Sequence, residues 1–241
     1  MTESMQRLRR STRLLLERHI QGPHRGRVAA VLARAGVGKT AFLTGIGLDA
    51  LLAGQRVLHV SLEANVEKVR DWYDELLAEQ MRKDRSGFDM TAIHLQIERR
   101  RLIHSFLDRD FTAERLEATL EMLRDQMDFV PDVLVIDRLK DAQVDPALFT
   151  ALRRLASESG AELWTSARVH RDGPAPRPGH LPPPADRVEP LLDIVFSLEP
   201  EGSRVRLHVL KDRGEILDRD LDILLDPTTL LLTEEAGRAA G

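Results

Sequence analysis

"VLARAGVGKTAF", residues 31–42, decides the fold. It nearly matches the pattern Gly-x-x-x-x-Gly-Lys-Ser/Thr of a phosphate-binding loop, but Ala33 stands where the leading Gly belongs. That leading position eases the turn out of the preceding strand and offers no side chain to a phosphate, so Ala serves wherever φ stays negative. The run before it, "RVAAVLA" (27–33), is short and apolar, which suits a strand covered on both faces. The residues after it have helical periodicity from about Lys39 to Leu52, with Phe42, Leu43, Ile46 and Leu51 inward and Gly54 as the stop.

Outward from this unit the alternation continues. "RVLHVSLE" (56–63) reads as a second buried strand, and a long amphipathic helix follows from about Val66 to Met81. "MTAIHLQI" (90–97) suits helix or strand, and "RLIHSF" (101–106) suits a strand. Thr112 is an N-cap for a helix to about Gln126, with Glu114 and Glu117 favouring its dipole. "DVLVID" (132–137) and "AELWTSA" (161–167) are strands on either side of a helix from Pro146 to Ser157. The proline-rich stretch 171–184 fits neither element. Short strands with turn residues between them fill the rest, as antiparallel additions at one sheet edge. The expected fold class is α/β, a mostly parallel sheet flanked by helices, with one domain over 27–235. Residues 1–26 carry an amphipathic helix (3–20, with Met5, Leu8, Leu15 and Leu16 on one side), either packed on its own domain or docked as an arm on a neighbour. Residues 236–241 are a frayed tail.

Composition narrows the classes. The chain has 241 residues, 42% hydrophobic and 31% charged, as in a soluble globular protein. It has no cysteine, which excludes disulfides and thiolate metal sites and fits a reducing cytoplasm. No apolar run approaches the ~20 residues that span a membrane, and no secretory signal is expected at the start. A net charge of −4 gives no global attraction to nucleic acid. The eight histidines lack an H-x-x-x-H spacing and no Ser sits in G-x-S-x-G, so neither a zinc site nor a hydrolase triad is expected. "ERRR" (98–101) reads as a solvated helix face.

The loop's chemistry follows from its residues. A diphosphate needs converging donors, and backbone N–H groups from Ala35, Gly36, Val37, Gly38, Lys39, Thr40 and Ala41 supply them at a helix start. Gly36 and Gly38 let the backbone wrap closely. Lys39 would sit on the β- and γ-phosphates, and the Thr40 hydroxyl would ligate Mg²⁺. Asp137 closes an apolar strand, where a carboxylate can hold waters of the metal; alone, an Asp in that place is more often a turn residue. Glu63 ends the second strand at the same sheet edge, placed either to deprotonate an attacking water or to start the next helix in solvent.

Together these residues resemble the RecA-like ATPase core of DnaB-type helicases and KaiC-like proteins. "AVLARAGVGKTAFLTGIGLDALLAGQRVLHVSLE", "VLVID", "LWTSA" and "VLKDRG" (209–214) carry the resemblance, which spans most of 27–214. DnaB-type loops commonly have Ala at the leading position. The resemblance implies ATP and Mg²⁺ as ligands, Asp137 as the Walker B acid and Glu63 as catalytic base. It also implies Lys211 and Arg213 as a finger pair reaching a neighbouring subunit's ATP, their i, i+2 spacing placing them on one strand face. A homo-oligomer, ring or filament, follows from that pair. Departures bear on the process driven: Ala167 and Arg168 stand where DnaB-type proteins couple nucleotide to DNA through a Gln, and the DNA-loop region is the proline-rich stretch, with Arg171 and Arg177 as its basic residues. The separate N-terminal domain of a replicative helicase is not expected either. Nucleic acid is therefore not the favoured partner. The expected function is Mg-ATP hydrolysis, with a DNA-dependent motor, a nucleotide-gated scaffold for a protein partner or a small-molecule kinase as rivals.

Overall fold

Six consecutive residues of β1 (Val28–Ala33) are buried because their side chains feed two cores at once. Ala29, Val31 and Ala33 join the core on one face of the sheet, and Val28, Ala30 and Leu32 join the other. A strand with no solvent face needs no polar alternation, which is why the run is apolar throughout. The structure is a computed structural model that describes residues 12–20, 25–83, 89–106, 111–170 and 179–234.

A short helix, α1 (Thr12–His19), precedes β1. Then come α2 (Lys39–Leu52), β2 (Val57–Ser61), α3 (Val66–Lys83), α4 (Met90–Glu98), β3 (Arg101–Ser105), α5 (Ala113–Met127), β4 (Val133–Leu139), α6 (Pro146–Ser159) and β5 (Glu162–Arg168). The last strands are β6 (Ile194–Glu201), β7 (Arg204–Asp212), β8 (Glu215–Leu225) and β9 (Leu232–Glu234). All nine join one sheet in the order β3-β2-β4-β5-β1-β6-β7-β8-β9. The first six of that order pair in parallel and the last three are antiparallel additions.

Two helical layers cover the sheet. Helices α1 to α4 pack on one face, and α5 and α6 on the other. The chain thus leaves β1 onto one face and leaves β4 onto the opposite face. This change of side opens a crevice outside the C-terminal ends of these strands, the place where open parallel sheets bind ligands. Among the described residues no helix is long and apolar enough to cross a membrane.

Local chemistry accounts for the boundaries. Asp89 caps α4 by accepting from Ala92 N at 3.0 Å, and Ile93 and Ile97, one turn apart, are its buried residues. That resolves "MTAIHLQI" as helix, because i, i+4 burial outweighs its β-branched content. Thr112 caps α5 as expected, accepting from Arg115 N at 3.3 Å. Asp145 caps α6, with Pro146 in its first turn and Gly160 at φ +65° ending it. Helix α2 is buried all round from Ala41 to Leu52, more than the four inward residues expected, because α1 and α3 cover its outer side. Leu16 and Ile20 reach the same core, and Arg18 pairs with Glu234 at 2.7 Å, so the described part of the N-terminal helix packs on its own chain. Met5 and Leu8 lie outside the described residues, as do 171–178 of the proline-rich stretch and the tail from 235.

The "ERRR" run does not form a solvated helix face. Glu98 ends α4, Arg99 caps it, and Arg101 opens β3 with its side chain 1% exposed. Its guanidinium lies 5.0 Å from the centre of the buried Tyr73 ring and pairs with Glu98 and, at 3.8 Å, Asp74. The turn between helix and strand separates the arginines, and the long stem of Arg101 buries along an aromatic face.

Candidate functional site

At the end of β1 the chain stays extended through Ala33, whose carbonyl accepts from Val169 N at 3.1 Å. Ala33 is not among the residues of positive φ, so the missing leading glycine has no backbone consequence. The left-handed positions are Gly36 (φ +77°) and Gly38 (φ +114°). Gly38 is the N-cap of α2 and no side chain caps it, leaving the first-turn N–H groups directed at the crevice. A Cβ on Gly38 would also lie 2.6 Å from Leu225 Cδ2, at the end of β8. The left-handed φ is what makes position 38 require glycine, and any Cβ there would also displace the end of the Leu225 side chain.

Lys39 folds back over this loop. Its Nζ donates to the carbonyls of Ala33 and Arg34, both at 2.9 Å. Desolvation pushes its pKa down to about 8, with Arg138 and Arg168 adding to the effect and Asp137 and Glu63 opposing it. An ammonium held by two carbonyls is poised for a stronger anionic partner.

Thr40, one residue on, donates its hydroxyl to Asp137 Oδ2 at 2.7 Å. The second carboxylate oxygen of Asp137 accepts from Ser166 Oγ at 2.8 Å, and the side chain is fully buried. The pairing explains this meeting: β5 lies between β1 and β4, so Ser166 faces the end of β4 directly. Thr40 Oγ1 and Asp137 Oδ2 make a hard oxygen pair. Among the described residues no group of three or more His, Cys, Asp or Glu forms a metal cluster. Such a set fits a cation that keeps most of its shell as water and phosphate, the habit of Mg²⁺.

Sequence reading missed Arg138. Strand β4 bulges between Ile136 and Leu139, and Arg138 takes φ +70° there. The bulge re-aims its side chain into the crevice. Its Nη1 meets Glu63 Oε2 at 2.5 Å, and its Nε lies 3.4 Å from Thr40 Oγ1 and 3.7 Å from Asp137 Oδ2. The guanidinium stands 6.0 Å over the Trp72 ring. Nothing in a periodicity pattern announces a positive φ at an arginine. Ser166 left a fainter signal, as a polar residue inside the apolar strand "ELWTSAR".

These groups surround a cavity of about 560 Å³. Lys39, Thr40, Glu63, Arg138, Lys140, Asp141 and Arg168 are among the residues that line it. Four lysines or arginines face two carboxylates there, so the cavity's balance suits a polyanion. Ala35 and Ala41 line it as well, while Val37 is half-buried and packs toward the core.

The expected finger pair lies elsewhere. Strand β7 runs antiparallel to β6, pairing Asp212 with Ile194, and Ile194 pairs with Ala29 at the start of β1. The end of β7 is thus at the end of the sheet opposite the 36–40 loop of its own chain. Lys211 is buried and its Nζ donates to Glu189 O at 2.5 Å, with burial lowering its pKa. Arg213 is exposed and off the strand, at φ +51° in the turn with Gly214 at φ +87°. The expected i, i+2 shared face is therefore corrected: the strand ends at Asp212 before the second residue of the pair. No protein-family model matches the chain, and no curated protein matches it.

Proposed function

We propose that the chain is a RecA-like P-loop ATPase that binds Mg-ATP in this cavity and hydrolyses it. The observation that carries the reading is the Thr40–Asp137 hydrogen bond beneath an uncapped helix start with Lys39 in its loop. A phosphate-binding helix terminus and a metal-competent oxygen pair meet at one point, on the sheet edge where ligands bind.

The N–H groups of Gly36 to Ala41 receive the β-phosphate, and Lys39 leaves the carbonyls of Ala33 and Arg34 for the β- and γ-oxygens. Thr40 and Asp137 are the residues that would hold Mg²⁺, which would offset the charge of the phosphates. Glu63 takes a proton from a water as that water's oxygen bonds to the γ-phosphorus. The bond from the γ-phosphorus to the bridging oxygen breaks, its electrons stay on ADP, and inorganic phosphate leaves. A homo-oligomer belongs to the same reading, with Arg213, exposed on the β7–β8 turn, reaching another copy's terminal phosphate. Lys211, tied to Glu189 O, does not fill that role.

One observation favours a second reading, a nucleotide-gated scaffold of slow turnover: Glu63 is engaged by Arg138. Titration with Mg-ATP beside phosphate release separates the two. The ATPase reading expects Glu63→Gln to bind ATP and release no phosphate, whereas a scaffold would keep its assembly function in that variant. Single-stranded DNA added to the same assay is expected to leave the rate unchanged; strong stimulation would restore the DNA-dependent motor.

A further inference from the structure

A left-handed φ at a non-glycine residue carries strain and persists only when its surroundings hold it there. Arg138 is such a residue, +70° at the bulge that follows Asp137. Its amide donates to Ser166 Oγ at 3.0 Å, the hydroxyl that also holds Asp137, so the bulge is fastened to the site itself. The outcome is a half-exposed guanidinium placed between three groups of the proposed chemistry. Glu63 is bound at 2.5 Å, Thr40 Oγ1 lies at 3.4 Å and Asp137 Oδ2 at 3.7 Å.

In this arrangement Oε2 of Glu63 is engaged by the Arg138 guanidinium. A terminal phosphate beside Lys39 and Thr40 would arrive within reach of the same guanidinium. It carries more charge than one carboxylate, and arginine's planar fork matches phosphate oxygens two at a time. An exposed ion pair is weak, so the exchange of partners meets little resistance.

We infer that Arg138 is a phosphate sensor acting within its own subunit: it holds Glu63 in the nucleotide-free site and moves to the terminal phosphate of ATP, which frees Glu63 for the attacking water. ADP lacks that phosphate and leaves the Arg138–Glu63 pair closed. The inference rests on the ATPase reading and adds the cation that tells triphosphate from diphosphate. Arg138 is a positioning residue for Glu63 and a contact for the terminal phosphate. Trp72 reports the move, since the guanidinium leaves its ring face, while Trp164 is buried in the core.

The test is calorimetric binding of Mg-ATP and Mg-ADP to the full chain, with tryptophan emission recorded in parallel. Wild type should bind both and shift its emission with ATP alone. Arg138→Ala should lose about tenfold or more of its ATP affinity, the worth of a charge-assisted phosphate contact, and less than about twofold for ADP. It should also lose the ATP-dependent emission shift. If Arg138→Ala fails to fold by circular dichroism, Arg138→Lys carries the test, because it keeps the charge and loses the fork: ATP affinity must fall while ADP affinity holds. Equal losses for both nucleotides, or an unchanged ATP affinity, would overturn the sensor and leave the ATPase reading in place. A wild type that binds neither nucleotide overturns both.

Discussion

Thr40 Oγ1 and Asp137 Oδ2 lie 2.7 Å apart although 97 positions separate them in the chain. The contact is set by sheet order: β5 fills the gap between β1 and β4, and the start of α2 leans over the end of β4. In the proposed function both oxygens would hold Mg²⁺. Thr40→Ala and Asp137→Asn should each raise the Mg²⁺ concentration for half-maximal nucleotide binding by about tenfold or more, while Thr40→Ser keeps it near wild type. Magnesium titrations at fixed ATP provide the measurement.

Ser166 fastens that carboxylate. Its hydroxyl donates to Asp137 Oδ1 at 2.8 Å inside the fully buried end of the sheet. A hydrogen bond to a charged buried group contributes about 1.5–3 kcal/mol, so Ser166→Ala should lower unfolding free energy by that order. Urea denaturation is the check, and an unchanged midpoint would mean that this hydrogen bond adds no net stability.

The pKa of Lys39, pushed down to about 8 by desolvation, should make nucleotide affinity pH-dependent under the proposed function. Below that value the ammonium is charged before ligand arrives; above it, binding must take up a proton. ATP affinity should therefore be flat at neutral pH and fall as pH rises through 8, by up to about tenfold per unit. Calorimetry in buffers of different ionisation enthalpy should show proton uptake at pH 9 and little at pH 7.

His59 sits under the site, fully buried, its Nδ1 sharing a hydrogen bond of 3.0 Å with the Tyr73 hydroxyl. Desolvation pushes its pKa down to about 4, Arg101 adding and Asp137 opposing. The unfolded chain protonates this histidine first, so folding stability is complete above the unfolded value near 6.5 and declines as pH falls toward 4. The slope approaches about 1.4 kcal/mol per pH unit. Denaturation curves at stepped pH should show this decline in wild type and a shallower one in His59→Leu.

Tyr73 also fixes the sign of a substitution in α2. A Cβ at Gly47 would stand 2.2 Å from the Tyr73 hydroxyl and 3.1 Å from its Cζ. Alanine would gain about 1 kcal/mol of helix propensity. Overpacking costs about 1–3 kcal/mol, and Tyr73 cannot retreat without releasing His59. Gly47→Ala should be net destabilising, read as a lower thermal midpoint.

The unit from β1 to β2 was legible because burial on both faces writes an unbroken apolar run, and a strand followed by Gly-x-Gly-Lys-Thr and a helix has few other readings. Asp137 and Glu63 stand out as carboxylates closing apolar runs, although β4 continues past Asp137 to Leu139 and β2 stops at Ser61, two residues before Glu63. Arg138 was not. A bulge and a positive φ depend on pairing between β4 and β5, which no local pattern reports. Arg101 was misread because three arginines in a row look solvated until the helix is seen to end before them. At "KDRG" the Gly was the overlooked signal: a two-residue turn ends β7 at Asp212 and separates Lys211 from Arg213.

Phosphate release from Mg-ATP, followed for wild type, Lys39→Ala and Glu63→Gln beside their nucleotide affinities, tests the central claim most directly. Wild type should bind and turn over ATP, Lys39→Ala should bind weakly and release none, and Glu63→Gln should bind without release. A wild type that binds no nucleotide at millimolar ATP, or a Lys39→Ala variant that releases phosphate at the wild-type rate, would contradict it.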